Sequence, residues 1–172
     1  MAVAALAGVC ALGGCGAQRK LAQPVAPPAV TLAPAGHVPR AGESLSVLDL
    51  DGDGHPDVWR FSRPGPDGRP VLVRKELDLD GDGRTDLWEE YVAGALSRRA
   101  YDLDGDGRPD LVLVFEGGAL LRKEDALDAE GRPHAWAFYR DGRLIRRERD
   151  TDGDGRADTL EPAQPPAPET QK

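Results

Sequence analysis

Four nine-residue stretches of this chain are nearly the same: DLDGDGHPD at 49–57, DLDGDGRTD at 78–86, DLDGDGRPD at 102–110 and DTDGDGRAD at 150–158. Each places Asp at positions 1, 3, 5 and 9 and Gly at positions 4 and 6. Segments so rich in Asp and Gly continue neither a helix nor a strand. The chain is therefore cut repeatedly, and regular structure must fit into the short intervals between the cuts. Those intervals hold short runs rich in Val, Leu, Trp, Phe and Tyr, split by Gly turns: LWEEYV-AGA-LSRRAY, LVLVF-EGG-ALLRKED and HAWAFYR-DG-RLIRRER. Two such runs around a Gly turn are a hairpin signature, and Asp141-Gly142 is its strongest instance.

Repeat units begin at Asp49, Asp78, Asp102, Asp128 and Asp150, at unequal spacing. The first hairpin carries a longer loop, from Arg63 to Pro70, and length changes in surface loops cost little. The pattern predicts an all-β fold, an antiparallel meander of β-hairpin repeats with about nine strands. One strand near 44–48 leads four hairpins, with acidic loops along one edge and tight turns along the other.

Carboxylates at alternate positions converge on one point if the backbone curls, and Gly permits the curl at low steric cost. The candidate metal ligands are Asp49, Asp51, Asp53 and Asp57; Asp78, Asp80, Asp82 and Asp86; Asp102, Asp104, Asp106 and Asp110; and Asp150, Asp152, Asp154 and Asp158. Position 7 (His55, Arg84, Arg108 or Arg156) would add its backbone carbonyl. A flexible ring of hard oxygens suits Ca²⁺, whereas Zn²⁺ would want His or Cys. Leu50, Leu79, Leu103 and Thr151 at position 2 are expected to pack beneath the loops. The alternative is a plain turn with solvated carboxylates. Against it, each close pair of like charges costs on the order of 1 kcal/mol near a surface. The unit at Asp128 reads Asp128-Ala-Glu-Gly-Arg-Pro-His134, which aligns with the others if an Asp-Gly pair is deleted. His134 then replaces the last Asp, so the expectation is about four Ca²⁺ ions rather than five.

The pattern D-x-D-x-D-G-x-x-D resembles the calcium loops of EF-hand, thrombospondin type 3 and FG-GAP-type repeat proteins. The resemblance implies calcium binding. It stops short of the EF-hand fold, because strand-like runs flank each loop. The Glu that an EF-hand places at position 12 occurs only as Glu89 and Glu161; the other copies have Arg60 and Leu113. Affinity is accordingly expected in the weak extracellular class, about 0.1–1 mM.

The first residues, MAVAALAGVCALGGCGA, read as an export signal over 1–14, with an apolar run too short to span a bilayer. Leu12-Gly13-Gly14-Cys15 is similar to the lipobox of bacterial lipoproteins, which implies diacylation of Cys15 and a place at the bacterial outer membrane or its periplasmic face. The alternative is an ordinary cleaved signal with an incidental Cys. Residues 15–43 read as a Pro- and Ala-rich linker, 44–160 as the repeat domain and 161–172 as a disordered tail.

Net charge is −8 and the isoelectric point about 4.9, which argues against nucleic acid as a partner. No Ser/His/Asp or Cys/His set, phosphate loop or isolated carboxylate pair stands outside the loops, so the chain does not read as an enzyme. Partners are expected to be the membrane, through Cys15, and an envelope protein or polysaccharide. The doublets Arg74-Lys75, Arg98-Arg99, Arg122-Lys123 and Arg146-Arg147 suggest either a basic ladder for an anionic ligand or cross-strand pairing with Glu89, Glu90 and Glu116. Trp59, Trp88 and Trp136 share one repeat position, suited to core packing or to stacking on a sugar.

Overall fold

The computed structural model describes residues 37–163. They form β1 (Ser44–Leu48), β2 (Val58–Pro64), β3 (Pro70–Leu77), β4 (Leu87–Val92), β5 (Ala95–Tyr101), β6 (Leu111–Glu116), β7 (Ala119–Leu127), β8 (Pro133–Arg140), β9 (Arg143–Arg149) and β10 (Thr159–Pro162). All pair antiparallel in chain order, giving one ten-stranded meander sheet. This is one strand more than the nine expected. Thr159 to Pro162 lie against Arg149 to Arg146, so the last acidic loop joins two strands as the others do. The signal, Cys15, the linker up to residue 36 and the tail from residue 164 lie outside the described residues.

The turns follow from their residues. Ala93-Gly94, Gly117-Gly118 and Asp141-Gly142 each hold both central φ angles positive, the mirror-image turn whose twist matches that of paired strands. In every hairpin the register slips just before the turn, leaving Val73, Ser97, Leu121 and Ile145 without a partner. Ser97 uses its hydroxyl to satisfy the Glu90 carbonyl at its bulge.

These bulges recur at a constant spacing of 24 residues, so the loops from Asp78 onward are evenly spaced and only the first interval, lengthened by the Arg63–Pro70 loop, differs. With the strands as frame, the fourth unit starts at Ala126, not Asp128, and no residue is deleted. ALDAEGRPH at 126–134 stands opposite DLDGDGRPD at 102–110, with Ala126 at position 1 and His134 at position 9. Two pairs of hydrogen bonds confirm the frame. Arg84 Nη1 donates to the Gly105 carbonyl, and 24 residues later Arg108 Nη1 donates to that of Ala129. The Asp86 carbonyl accepts from Asp102 N, and that of His134 from Asp150 N.

Cross-strand register sorts the side chains onto two faces. One face carries Trp59, Trp88, Ala100, Val112 and Trp136 in a single row, with Phe61, Arg74, Arg98, Arg122, Phe138 and Arg146 in the next. Phe61, Val112 and Ala100 on this face are essentially inaccessible to water. The opposite face carries Lys75, Glu89, Arg99, Leu113, Lys123, Ala137 and Arg147 in one row. The basic doublets therefore split, one member to each face, and do not form one ladder. Lys75 Nζ and Arg99 both reach Glu89 across the strands. Among the described residues Glu90 and Glu116 take no ion pair, and Arg122, Lys123 and Arg146 pair with Glu124, Asp125 and Glu148 on their own strands.

The span 37–43 is not a bare linker. The His37 ring stacks on Trp59, with centroids 3.3 Å apart and planes within 3°. Arg74 donates to the Glu43 carboxylate and to the Val38 carbonyl. Composition hid this packing because it rests on two side chains, His37 and Glu43, in an otherwise featureless stretch.

Candidate functional site

Each intact loop is organised from its first residue. Asp102 accepts N–H groups of Gly105 (2.8 Å) and Gly107 (2.7 Å) on its two oxygens. Both glycines have positive φ, 76° and 84°, which turns their N–H groups inward. The same pair of bonds forms at Asp49, Asp78 and Asp150. Position 3 then accepts from the N–H of position 5, and position 5 from that of position 7. Position 9 closes the ring: Asp57, Asp86, Asp110 and Asp158 each accept the N–H of position 2 at 2.5–2.7 Å.

All four carboxylates therefore accept N–H groups of their own loop, so the metal-free turn does not leave them merely solvated. Neutral N–H donors leave the formal charge of each loop in place. Oxygens of Asp78, Asp80 and Asp86 lie within 4.8 Å of one another, as do those of Asp102, Asp104 and Asp110, of Asp150, Asp152 and Asp158, and of Asp49, Asp51 and Asp53. Those four groups could each hold a metal ion. Asp57 in the first loop and Asp82, Asp106 and Asp154 in the others lie outside the converging sets. At position 7 the backbone N–H of His55, Arg84, Arg108 and Arg156 points to position 5.

Leu50, Leu79 and Leu103 do not pack beneath the loops; they are 63–70% exposed. The reason is local. Positions 1 and 3 aim their carboxylates inward, and the N–H between them is drawn inward by position 9, so the position-2 side chain points out. Glu89, at position 12 of its loop, also turns elsewhere. It is 4% exposed and receives Lys75 Nζ (2.7 Å), Arg99 Nε (2.9 Å) and the Tyr91 hydroxyl (2.6 Å). Glu89 is thus engaged by the sheet face rather than its loop, and the converging set of the loop at 150–158 does not include Glu161.

The fourth copy shows what fails without position 1. Ala126 offers no acceptor for the inward N–H groups, and the loop collapses to a tight turn. Asp128 N donates to the Arg132 carbonyl, and Gly131 N to that of Asp128. The retained Asp128 carboxylate takes the Arg132 guanidinium at 2.8 Å, with the His134 ring 3.5 Å away. Where the loop chemistry is lost, a side-chain cation stands beside the surviving carboxylate.

Several carboxyls are held below their ordinary range. Hydrogen bonds from Gly52 and Gly54 N–H do this for Asp49, and the Thr151 hydroxyl and N–H for Asp158. Burial pushes Asp150 and Glu89 up, but hydrogen bonds outweigh it, from Gly155 and Gly153 in the first case and from Lys75, Tyr91 and Arg99 in the second. A carboxyl depressed in the folded state binds protons more weakly there than in the unfolded chain. Its contribution is full above the unfolded value near 4 and is lost as pH falls through the folded one. The metal-free thermal midpoint is therefore expected to be flat from about pH 7 to 5 and to drop below about pH 4.5. A midpoint that rises on acidification would mean that carboxylate repulsion in the loops outweighs these bonds.

No family model and no curated protein sequence matches the chain. Among solved structures it is similar to the accessory secretory protein 1, 2 and 3 structure of Streptococcus pneumoniae, at 16% identity, over 60% of this chain and 20% of that one, with a TM-score of 0.44. It is also similar to an S. aureus TarM mutant in complex with fondaparinux, α-GlcNAc-glycerol and UDP, at 7% identity, over 71% and 20%, with a TM-score of 0.35. The chain spans about a fifth of the length of both, and likeness at this level carries no argument about function.

Proposed function

We propose that this chain is a calcium-binding surface protein of structural or interaction type, whose repeat loops are ordered by about four Ca²⁺ ions. The reading rests on one observation: three carboxylates converge within 4.8 Å at each of four loops, on a backbone that repeats bond for bond. The oxygen-only donor set and the curled, Gly-hinged loop favour Ca²⁺ over softer metals. The ion would neutralise the loop and couple its binding to folding, and no reaction is assigned to it. Flow dialysis of chelator-stripped protein is the test. About four Ca²⁺ should bind with dissociation constants near 0.1–1 mM. No uptake at about 5 mM free Ca²⁺ would overturn the reading.

Export and lipid anchoring at Cys15 complete the proposal, supported by the apolar run that ends in Leu12-Gly13-Gly14-Cys15. A Cys15→Ser chain should move from the detergent phase to the aqueous phase of a two-phase extraction. Unchanged partition would remove the anchor.

A second reading, a surface module that binds a protein or glycan, is favoured by the row of Trp59, Trp88 and Trp136 on one face. Trp88 and Trp136 are only half-buried, whereas Trp59 lies beneath His37.

A further inference from the structure

In the first hairpin four side chains hold the chain's own segment 37–43. Trp59 faces Glu76 across the strands, and Phe61 faces Arg74. The Arg74 guanidinium lies 3.3 Å above the Phe61 ring and pairs with Glu76. This quartet holds the chain's own segment 37–43 at three points. The His37 ring stacks on Trp59 while its Nδ1 meets Glu76 Oε2 at 2.8 Å; Arg74 Nη2 donates to the Val38 carbonyl at 2.6 Å; Arg74 Nε donates to the Glu43 carboxylate at 3.1 Å.

The same quartet recurs in the last hairpin. Trp136 faces Glu148, and Phe138 faces Arg146. The Arg146 guanidinium lies 3.8 Å above Phe138, and its Nε donates to Glu148 Oε1 at 2.6 Å. The intervening hairpins lack it, pairing Trp88 with Ala100 and Val112 with Glu124. What differs is the cover. Arg74 is 9% exposed and Arg146 31%, while Trp136 is half-buried where Trp59 is buried. Among the described residues, Arg146 Nη1 and Nη2 and Glu148 Oε2 have no partner; in the first copy Nη2 and Oε2 hold Val38 and His37. Because Arg146 meets its glutamate through Nε where Arg74 uses Nη1, the second free donor is Nη1 rather than the Nε that holds Glu43. Residues 1–36 and 164–172 contain no His, Phe, Trp or Tyr, so they offer no planar ring with an N–H donor of the kind His37 presents to Trp59.

We propose that Trp136, Phe138, Arg146 and Glu148 form a docking site for an extended peptide of another protein. The segment would carry a planar ring with an N–H donor, followed by a carboxylate, the chemistry that His37 and Glu43 present to the first copy. The ring stacks on Trp136 and donates to Glu148, while the carboxylate and a backbone carbonyl take the free Arg146 donors. The site is independent of the metal reading, because the quartet sits on the sheet face and the loops on its edge.

The probe is the blocked synthetic peptide of residues 37–43, titrated into the full chain and followed by Trp fluorescence and nuclear magnetic resonance. One equivalent should bind. Trp136→Ala or Arg146→Lys should weaken it about 10-fold, with the fold verified by circular dichroism. A His37→Ala/Glu43→Ala double variant vacates the first copy and should bind two equivalents of similar affinity. Occupation of the vacated first copy alone would overturn the proposal. So would binding at neither copy up to about 10 mM, or displacement of the peptide by an oligogalacturonate that binds Trp136 more tightly.

Discussion

Chelator-stripped protein should unfold at least about 20 °C higher when Ca²⁺ is raised to about 10 mM. A ligand that binds only the folded state stabilises it by RT ln(1 + [L]/Kd), which for a dissociation constant of about 0.3 mM is about 2 kcal/mol per site at that concentration. Four loops acting independently give about 8 kcal/mol, comparable to the whole stability of an ordinary domain. The effect is expected to be large because one sheet with a thin core has little else to rely on. Phe61, Val112 and Ala100 are its only apolar side chains at or below 1% exposure among the described residues. Mg²⁺ at equal concentration should do much less, since it dehydrates reluctantly and demands tighter geometry. The measurement is thermal unfolding by circular dichroism over a Ca²⁺ series. A midpoint unmoved at about 10 mM would leave the loops as metal-free turns.

The sheet was legible because its signals are local. Gly pairs and acidic loops cut the chain at fixed places, and the runs between them could only be short strands. The tenth strand was missed because Thr159–Pro162 is four residues long and follows the last loop, where composition already turns toward Pro. The true repeat was also within reach. ALDAEGRPH stands 24 residues after DLDGDGRPD, but anchoring the frame on the first visible Asp placed the fourth unit two residues late. The letter that matters there is Ala126, the absent carboxylate, and an absence is harder to read than a motif. Two other features lay beyond one-dimensional reading. That position-2 leucines stand in solvent rather than packing beneath the loops depends on where three neighbouring groups aim, and that His37 grips Trp59 depends on contacts across the sheet. Of the two readings of the basic doublets, one ladder or cross-strand pairing, strand alternation removes the first by putting neighbours on opposite faces.

Asp102→Ala and Asp102→Asn separate the two uses of a loop carboxylate. Asp102 is 8% exposed and caps Gly105 N and Gly107 N, so truncation to Ala strands two inward N–H groups. Without metal this should cost about 1–3 kcal/mol, and in about 10 mM Ca²⁺ a further ~2 kcal/mol as one site is lost. The chain has already made this substitution at Ala126, where the loop collapsed onto Arg132, so a local rearrangement rather than global unfolding is expected. Asn keeps one oxygen to accept an N–H but removes the charge. Its metal-free stability should stay within about 1 kcal/mol of the parent, because lost hydrogen bonding is offset by relief of like-charge repulsion. Its Ca²⁺-dependent increment should fall by about one site's share, ~2 kcal/mol. If Asp102→Asn gained as much from Ca²⁺ as the parent, the carboxylate would be a cap for the backbone and nothing more. The convergence of acidic oxygens would then be a by-product of how Asp and Gly fold a tight loop.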